Sequence, residues 1–118
     1  MTTKTILGTT VYGTPAGNYD GSSQDWYSDP ATAANYYRGR GGVQTITFSV
    51  ANFVGTMILE ACLDANPAEA NWFDTYTYGS NTPLSDYHPE TVTGNFTWMR
   101  VRVEGFDDGT ITSVTITY

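Results

Sequence analysis

The sequence holds one cysteine, Cys62, so an internal disulfide is excluded and nothing marks an extracellular disulfide scaffold. Cys62 reads as a small apolar strand residue rather than as a reactive thiol. One lysine, four arginines and two glutamines leave few of the long, straight side chains that build helices. No run approaches the roughly twenty apolar residues of a membrane helix, so no membrane insertion is expected. The start, Met1-Thr2-Thr3-Lys4, leads into a short β-like run broken at Gly8 rather than into a signal peptide, which implies synthesis in a cytoplasm. Five bases stand against twelve acids, giving a formal net charge of −7 and a pI near 4.2. Phosphate contacts need a cationic field, so nucleic acid is an unsuitable ligand.

Catalytic groups are scarce as well. The one histidine, His88, sits in Asp86-Tyr87-His88-Pro89 and reads as a surface-loop residue. Asp86 is too close in sequence to imply a dyad with it, and no Gly-x-Ser-x-Gly elbow is present. Glutamate occurs only at 60, 69, 90 and 104, and most aspartates fall in turns, which leaves little for paired-carboxylate hydrolysis. The chain is not expected to be an enzyme.

What is abundant points to strands. Twenty threonines, nine tyrosines and twelve glycines favour pleated, half-exposed β-structure joined by turns. A length of 118 residues suits one domain able to bury a core without metal or disulfide staples. The clearest stretch runs from Asn52 to Leu63, where Met57, Leu59, Ala61 and Leu63 share one parity and Thr56, Ile58, Glu60 and Cys62 the other. The spacing predicts a strand with Met57, Leu59 and Leu63 facing the core. Asn66-Pro67-Ala68-Glu69 then predicts one helical turn, with Asn66 as N-cap and Pro67 at N1. Trp72 and Phe73 open the next strand, Trp72 as a core anchor.

Before this stretch, Lys4 to Tyr12 reads as a strand and Gly13 to Asp29 as a long, turn-rich loop, flexible or ordered by a partner, with room for one edge strand around Gln24 to Tyr27. Residues 30–34 suit a single helical turn. From Val43, the apolar row Ile46, Phe48 and Val50 alternates with Thr45, Thr47 and Ser49. After Tyr78, Gly79 to Pro89 reads as a second long loop. The strand Phe96 to Phe106 carries Met99, Val101 and Val103 inward and Trp98, Arg100, Arg102 and Glu104 outward. Asp107-Asp108-Gly109 predicts a turn with Gly109 at positive φ. In the last strand Ile111 is out of phase with Val114, Ile116 and Tyr118, which predicts a bulge near Thr112 or Ser113. The expectation is an all-β, single antiparallel two-sheet sandwich, jelly-roll-like, with seven or eight short strands. Residues 1–32 supply the N-terminal strand and long loop, and 33–118 the rest.

Three groups are candidate sites. Asp20, Asp25 and Asp29, with Ser22 and Gln24, offer oxygen ligands of the kind Ca²⁺ takes, although the spacing matches no EF-hand and turn chemistry accounts for the same residues. The aromatics exceed what one small core needs. Trp26, Tyr27 and Tyr87 are candidates for a loop that holds a glycan or a partner protein, and Tyr37 joins Trp72 as a candidate anchor. In the outward row, Trp98, Arg100 and Arg102 are a candidate interface. The arginines suit a carboxylate on a partner, a cross-strand pair with neighbouring acids, or a cation–π stack. Exposed aromatics clustered at loop tips would favour glycan binding; spread along strands and edges they would favour an assembly contact.

Several short motifs recur in order: Tyr36-Tyr37-Arg38-Gly39, Gln44-Thr45, Asn52-Phe53-Val54-Gly55-Thr56, Pro67-Ala68-Glu69, Trp72-Phe73-Asp74, Gly94-Asn95-Phe96-Thr97-Trp98 with Arg100, and Gly109-Thr110-Ile111. Together, over 33–118, they resemble a small β-sandwich domain of virion proteins in tailed bacteriophages, notably myoviruses of marine cyanobacteria. The resemblance implies an accessory structural protein of the capsid, neck or tail. Such a protein binds other virion proteins, in several copies, after synthesis in the host bacterial cytoplasm, and has no catalytic residues. The family pattern tends to carry His just before the threonine matching Thr45, where this chain has Gln44. A carbohydrate-binding or adhesin module, holding a host glycan, is the alternative.

Overall fold

The computed structural model describes residues 2–36 and 42–118. Tyr37, Arg38 and Gly39, part of the motif above, lie outside the described residues, and with them the expectation of Tyr37 as an anchor. Among the described residues, seven strands form one antiparallel sheet: β1 (Thr3–Leu7), β2 (Thr10–Val11), β3 (Trp26–Tyr27), β4 (Ala31–Thr32), β5 (Val43–Cys62), β6 (Phe73–Thr93) and β7 (Trp98–Thr117). β5 lies between β6 and β7, and the four short strands line the far edge of β7.

Three of these strands are too long to be flat. A strand of 20 residues, the length of β5, would run about 65 Å if straight. The longest dimension of the molecule is 40 Å. Connectivity makes the same demand. β6 ends beside Val43, the start of β5, whereas β7 begins beside Cys62, its end. Residues 94–97 join the two, and four residues reach at most about 14 Å. The ends of β5 therefore have to meet, and they do. Gly94 N donates to Gly42 O at 2.6 Å, and Thr97 N to Cys62 O at 3.0 Å. Gln44, 1% exposed, ties this corner further: its Nε2 donates to Val92 O at 2.7 Å and its Oε1 accepts from Ala34 N at 3.2 Å. It is a buried amide used as a cross-link.

The sheet bends double along a crease through the middle of β5, β6 and β7. Register slips cluster there, between Val50 and Gly55 against β6 and between Ser49 and Thr56 against β7. Gly109 shows why the crease needs glycine. It has φ 86°, and a Cβ placed on it would lie 2.1 Å from Asn52 O. Asn52 itself takes φ 53°, a conformation that asparagine tolerates better than most residues. Gly79 permits a similarly close approach, since a Cβ at that position would fall 2.4 Å from Gly55 O.

Two leaves result. The first contains 43–50, 84–93 and 110–117 with β1 and β2; the second contains 54–62, 73–80 and 98–104 with β3 and β4. Ile46, Phe48, Val114 and Ile116 of the first leaf and Met57, Leu59, Met99, Val101 and Val103 of the second belong to one buried core. Phe48 stacks on Tyr78 across the leaves, centroids 4.7 Å apart. Phe53 and Phe106 fill the crease, 5.8 Å apart.

The all-β antiparallel expectation holds, with seven strands. In place of two jelly-roll sheets of short strands, one sheet supplies both layers, because the segments expected as separate strands are continuous through the crease. Asp107-Asp108-Gly109 accordingly lies inside β7 rather than in a turn between strands, although Gly109 has the positive φ expected. The bulge expected from Ile111 is present: Ser49 pairs with Ser113 but Val50 with Ile111, leaving Thr112 extra. The turn at Pro67–Glu69 forms as a 3-10 turn, with Asn66 Oδ1 accepting from Ala68 N at 3.1 Å.

Four further expectations about the strands and loops fail. Leu63 is 62% exposed, because β5 ends at Cys62 and its alternation ends with it. Residues 30–34 contain strand β4, paired to Met99 and Trp98, instead of a helical turn. The segment 79–89, expected as a loop, is part of β6, since β5 continues alongside to pair with it. The region 13–29 is not loosely held. Tyr19 is 1% exposed and packs 5.2 Å from Phe106, its hydroxyl accepts from Gly13 N at 3.0 Å, and Ala16 and Tyr19 exchange backbone bonds.

Candidate functional site

The outer face of the second leaf carries the densest chemistry. On β5, Glu60 points away from the core yet is only 4% exposed. It lies between Arg100 of β7 and Asp74 of β6 by strand register. Arg100 Nε donates to Glu60 Oε1 at 2.6 Å, and Arg102 Nη1 donates to Glu60 Oε2. Arg102 also forks onto Asp74, at 3.2 and 3.3 Å, and its Nε lies 3.3 Å from Glu104 Oε2 without hydrogen-bond alignment. Burial works against the Arg102 charge, but the Asp74 bonds and the charges of Glu60, Asp74 and Glu104 outweigh it and raise its pKa further. The cross-strand pair considered from sequence is therefore present, and one buried carboxylate serves both arginines.

Aromatic rings complete the face. The Arg100 guanidinium lies over both the Tyr27 and the Trp72 rings, its carbon 4.3 Å from each centroid. Tyr27 comes from β3 on one flank of β7 and Trp72 from the approach to β6 on the other. Trp72 is thus half-buried cover over a charge rather than a core anchor. Trp98 meets Tyr36 edge-on, centroids 5.1 Å apart, and its indole donates to Ala65 O at 3.1 Å. That bond holds the segment after β5 against the face.

The three residues proposed as a loop group are separated. Trp26 lies on β3 but inward: it is 6% exposed, packs on Tyr19 at 5.3 Å, and its indole Nε1 is buried without a partner. Strand pairing with Val103 points it into the core. Tyr27, its neighbour, faces outward at 45% exposure. Tyr87, 72% exposed, lies within β6 opposite Ser49 on the first leaf, not on a loop tip. His88 is likewise a strand residue, stacked 5.4 Å from Tyr78, with Nε2 3.1 Å from the Tyr76 hydroxyl and 3.2 Å from Glu90 Oε1. Tyr78 donates to Asp86 Oδ2 at 3.0 Å, and burial followed by that carboxylate pushes its pKa up. These contacts fasten the two halves of β6 across the leaves.

The aspartates suited to Ca²⁺ have protein partners. Asp20 accepts from the Ser23 hydroxyl at 2.7 Å and from the Ser23 and Ser22 amides at 2.7 and 2.9 Å, which holds its pKa well below the usual carboxylate range. Asp25 accepts from Gly105 N and Asp29 from the Asn18 amide, each at 3.0 Å. The three carboxylates thus tie different parts of the N-terminal region. Among the described residues no cluster of three His, Cys, Asp or Glu side chains is placed to hold a metal ion.

Two members of the site were not singled out from sequence. Glu60 is the one acid within β5, standing between Ile58 and Cys62 on its outward row; that lone charge was the available signal. Asp74 carried none, because its role depends on the bulge between Leu59 and Glu60 that sets the register. Comparisons with family profiles, with curated proteins and with solved structures return no match.

Proposed function

We propose that the chain is a structural, accessory component of a tailed-phage particle, acting by contacts with other virion proteins and present in several copies. The observation that carries this reading is the placement of its exposed large apolar residues. Among the described residues, Val11, Tyr27, Val43, Phe73 and Tyr87 lie within strands, Tyr12 and Leu63 directly follow one, and Tyr36 lies in a turn. Spread in this way, they favour packing against another folded surface over capture of a single ligand. Tyr27 and Tyr87 lie on the outer faces of different leaves. They make no common platform for a sugar ring, so the glycan-binding alternative loses its main support. Electron microscopy of particles assembled with and without the chain tests it: density present at repeated positions and lost on deletion is expected. Particles unchanged in density and composition by the deletion would overturn the proposal.

A further inference from the structure

Resting on that reading, we infer that Arg100 is the anchor for a carboxylate side chain presented by a partner protein. Arg102 is already engaged by Glu60, Asp74 and Glu104. Arg100 is not. Its Nε is spent on Glu60 Oε1, and neither terminal NH₂ group has a hydrogen-bond partner among the described residues. Those two groups form the end-on fork that matches the two oxygens of a carboxylate.

The fork is also held still. Glu60 fixes one side of the guanidinium, and the Tyr27 and Trp72 rings fix its plane. An arginine that has already given up its rotamer freedom loses less on binding. The rings exclude water from the flanks, which strengthens a charge-assisted bond at the centre. Arginine, tryptophan and tyrosine are the residue types that dominate binding hot spots, and here Tyr27 and Trp72 flank one arginine.

Charge decides the partner's chemistry. A cationic or phosphate-rich partner would meet Asp74 and Glu104, both about half exposed beside the site. A cation would gain from those acids but find the arginine fork in its way. A multiply charged anion would be repelled by them. A single carboxylate on an otherwise neutral segment meets only the fork. The net charge of −7 repels an acidic partner at long range, so recognition is local and little weakened by moderate salt.

The test uses side-chain NMR on the whole chain, with two capped tripeptides that differ only in a central Glu or Gln. The Glu peptide is expected to shift the Arg100 guanidinium and Trp72 indole signals saturably and to leave those of Arg102 in place, with the Gln peptide inert. Arg100→Lys keeps the charge beside Glu60 but loses the fork, and should weaken binding by about tenfold or more, the factor given by about 1.4 kcal/mol. Equal shifts with both peptides, or none at tens of millimolar peptide, would overturn the inference. Incorporation of R100K into particles separates this from the broader reading. Reduced incorporation without peptide binding sinks the inference alone. Peptide binding with normal incorporation sustains the inference and removes its place in the particle.

Discussion

The two leaves are made from the same three strands and share one core, yet their outer faces differ in kind. On the first leaf, Thr3, Thr117, Thr45 and Thr91 stand side by side across four strands, and Thr5, Thr115 and Thr47 form the next row with Pro89. Hydroxyls bond along the first row, Thr3 to Thr117 and Thr45 to Thr91, both at 3.0 Å. None of these residues is charged. The corresponding face of the second leaf concentrates Glu60, Asp74, Arg100, Arg102 and Glu104 among aromatic rings. Threonine rows satisfy a pleated surface in water with little dependence on any one residue. A buried carboxylate between two arginines is the reverse, because each member leaves the others uncompensated when removed. The fold is therefore insured on one face and committed on the other.

The largest effect should come from breaking the committed face at its centre. Glu60→Ala is expected to cost about 3–5 kcal/mol, the range for removing one partner from a buried ion pair, as read by denaturant melts. Replacing Arg100 and Arg102 together by Glu would strip Glu60 of both its counter-charges and surround it with acids. Unfolding is the expected result, seen by circular dichroism, so that double variant reports on the fold rather than on a contact with a partner.

Next comes the core that both leaves share. Leu59→Ala should cost about 2–5 kcal/mol, whereas Leu63→Ala, four residues later on the same parity, should stay within about 0.5 kcal/mol. Comparable losses for both would mean that the segment after Cys62 folds back over Leu63.

A smaller effect is expected at the fastening between the leaves. Tyr78→Phe removes the bond to Asp86 and should cost about 1 kcal/mol. The folded state also holds the Tyr78 phenol protonated above its ordinary value. Its contribution is complete below the unfolded pKa of about 10 and falls as pH rises above it. Alkaline unfolding should therefore begin near that pH and be less steep in the variant; identical alkaline profiles would place the loss elsewhere. Least of all should come from the threonine face. Thr5→Lys, at an exposed position on an edge strand, is expected to shift stability by no more than about 0.5 kcal/mol, and a larger loss would show that the face is not merely solvated.

How far all this was legible in the sequence depended on range. Alternation in Ile46-Thr47-Phe48 and Met99-Arg100-Val101 gave the inward and outward rows, and the phase error at Ile111 gave the bulge, because both are properties of a few adjacent residues. Turn residues misled where tertiary pairing overrode them. Gly79 and Pro89 read as the ends of a loop, but β5 is long enough to pair with both and hold this stretch as an edge strand. Asp107-Asp108-Gly109 likewise read as a turn, and Gly109 takes the positive φ expected of it, but inside β7. The arginines were visible as an outward row, but which acids they would meet was not, since Glu60 lies 40 residues from Arg100 and only the register brings them together. Trp26 and Tyr27 show the limit most simply: adjacent aromatics on a strand face opposite ways, and one became core while the other became surface.

The closure of the sheet also brings residue 2 beside residue 118, each donating a backbone bond to the other, at 2.7 and 2.9 Å. Chain flanking this unit would leave it from a single point, so the domain can be spliced into a loop of a larger protein with little stretching of the host. Under tension the same geometry is a zipper. A pull between residues 2 and 118 falls on the first pair of β1 and β7, then on the next, and never on the whole ladder at once. Anything that lengthens under load should therefore peel β1 away before it disturbs the charged face of the second leaf.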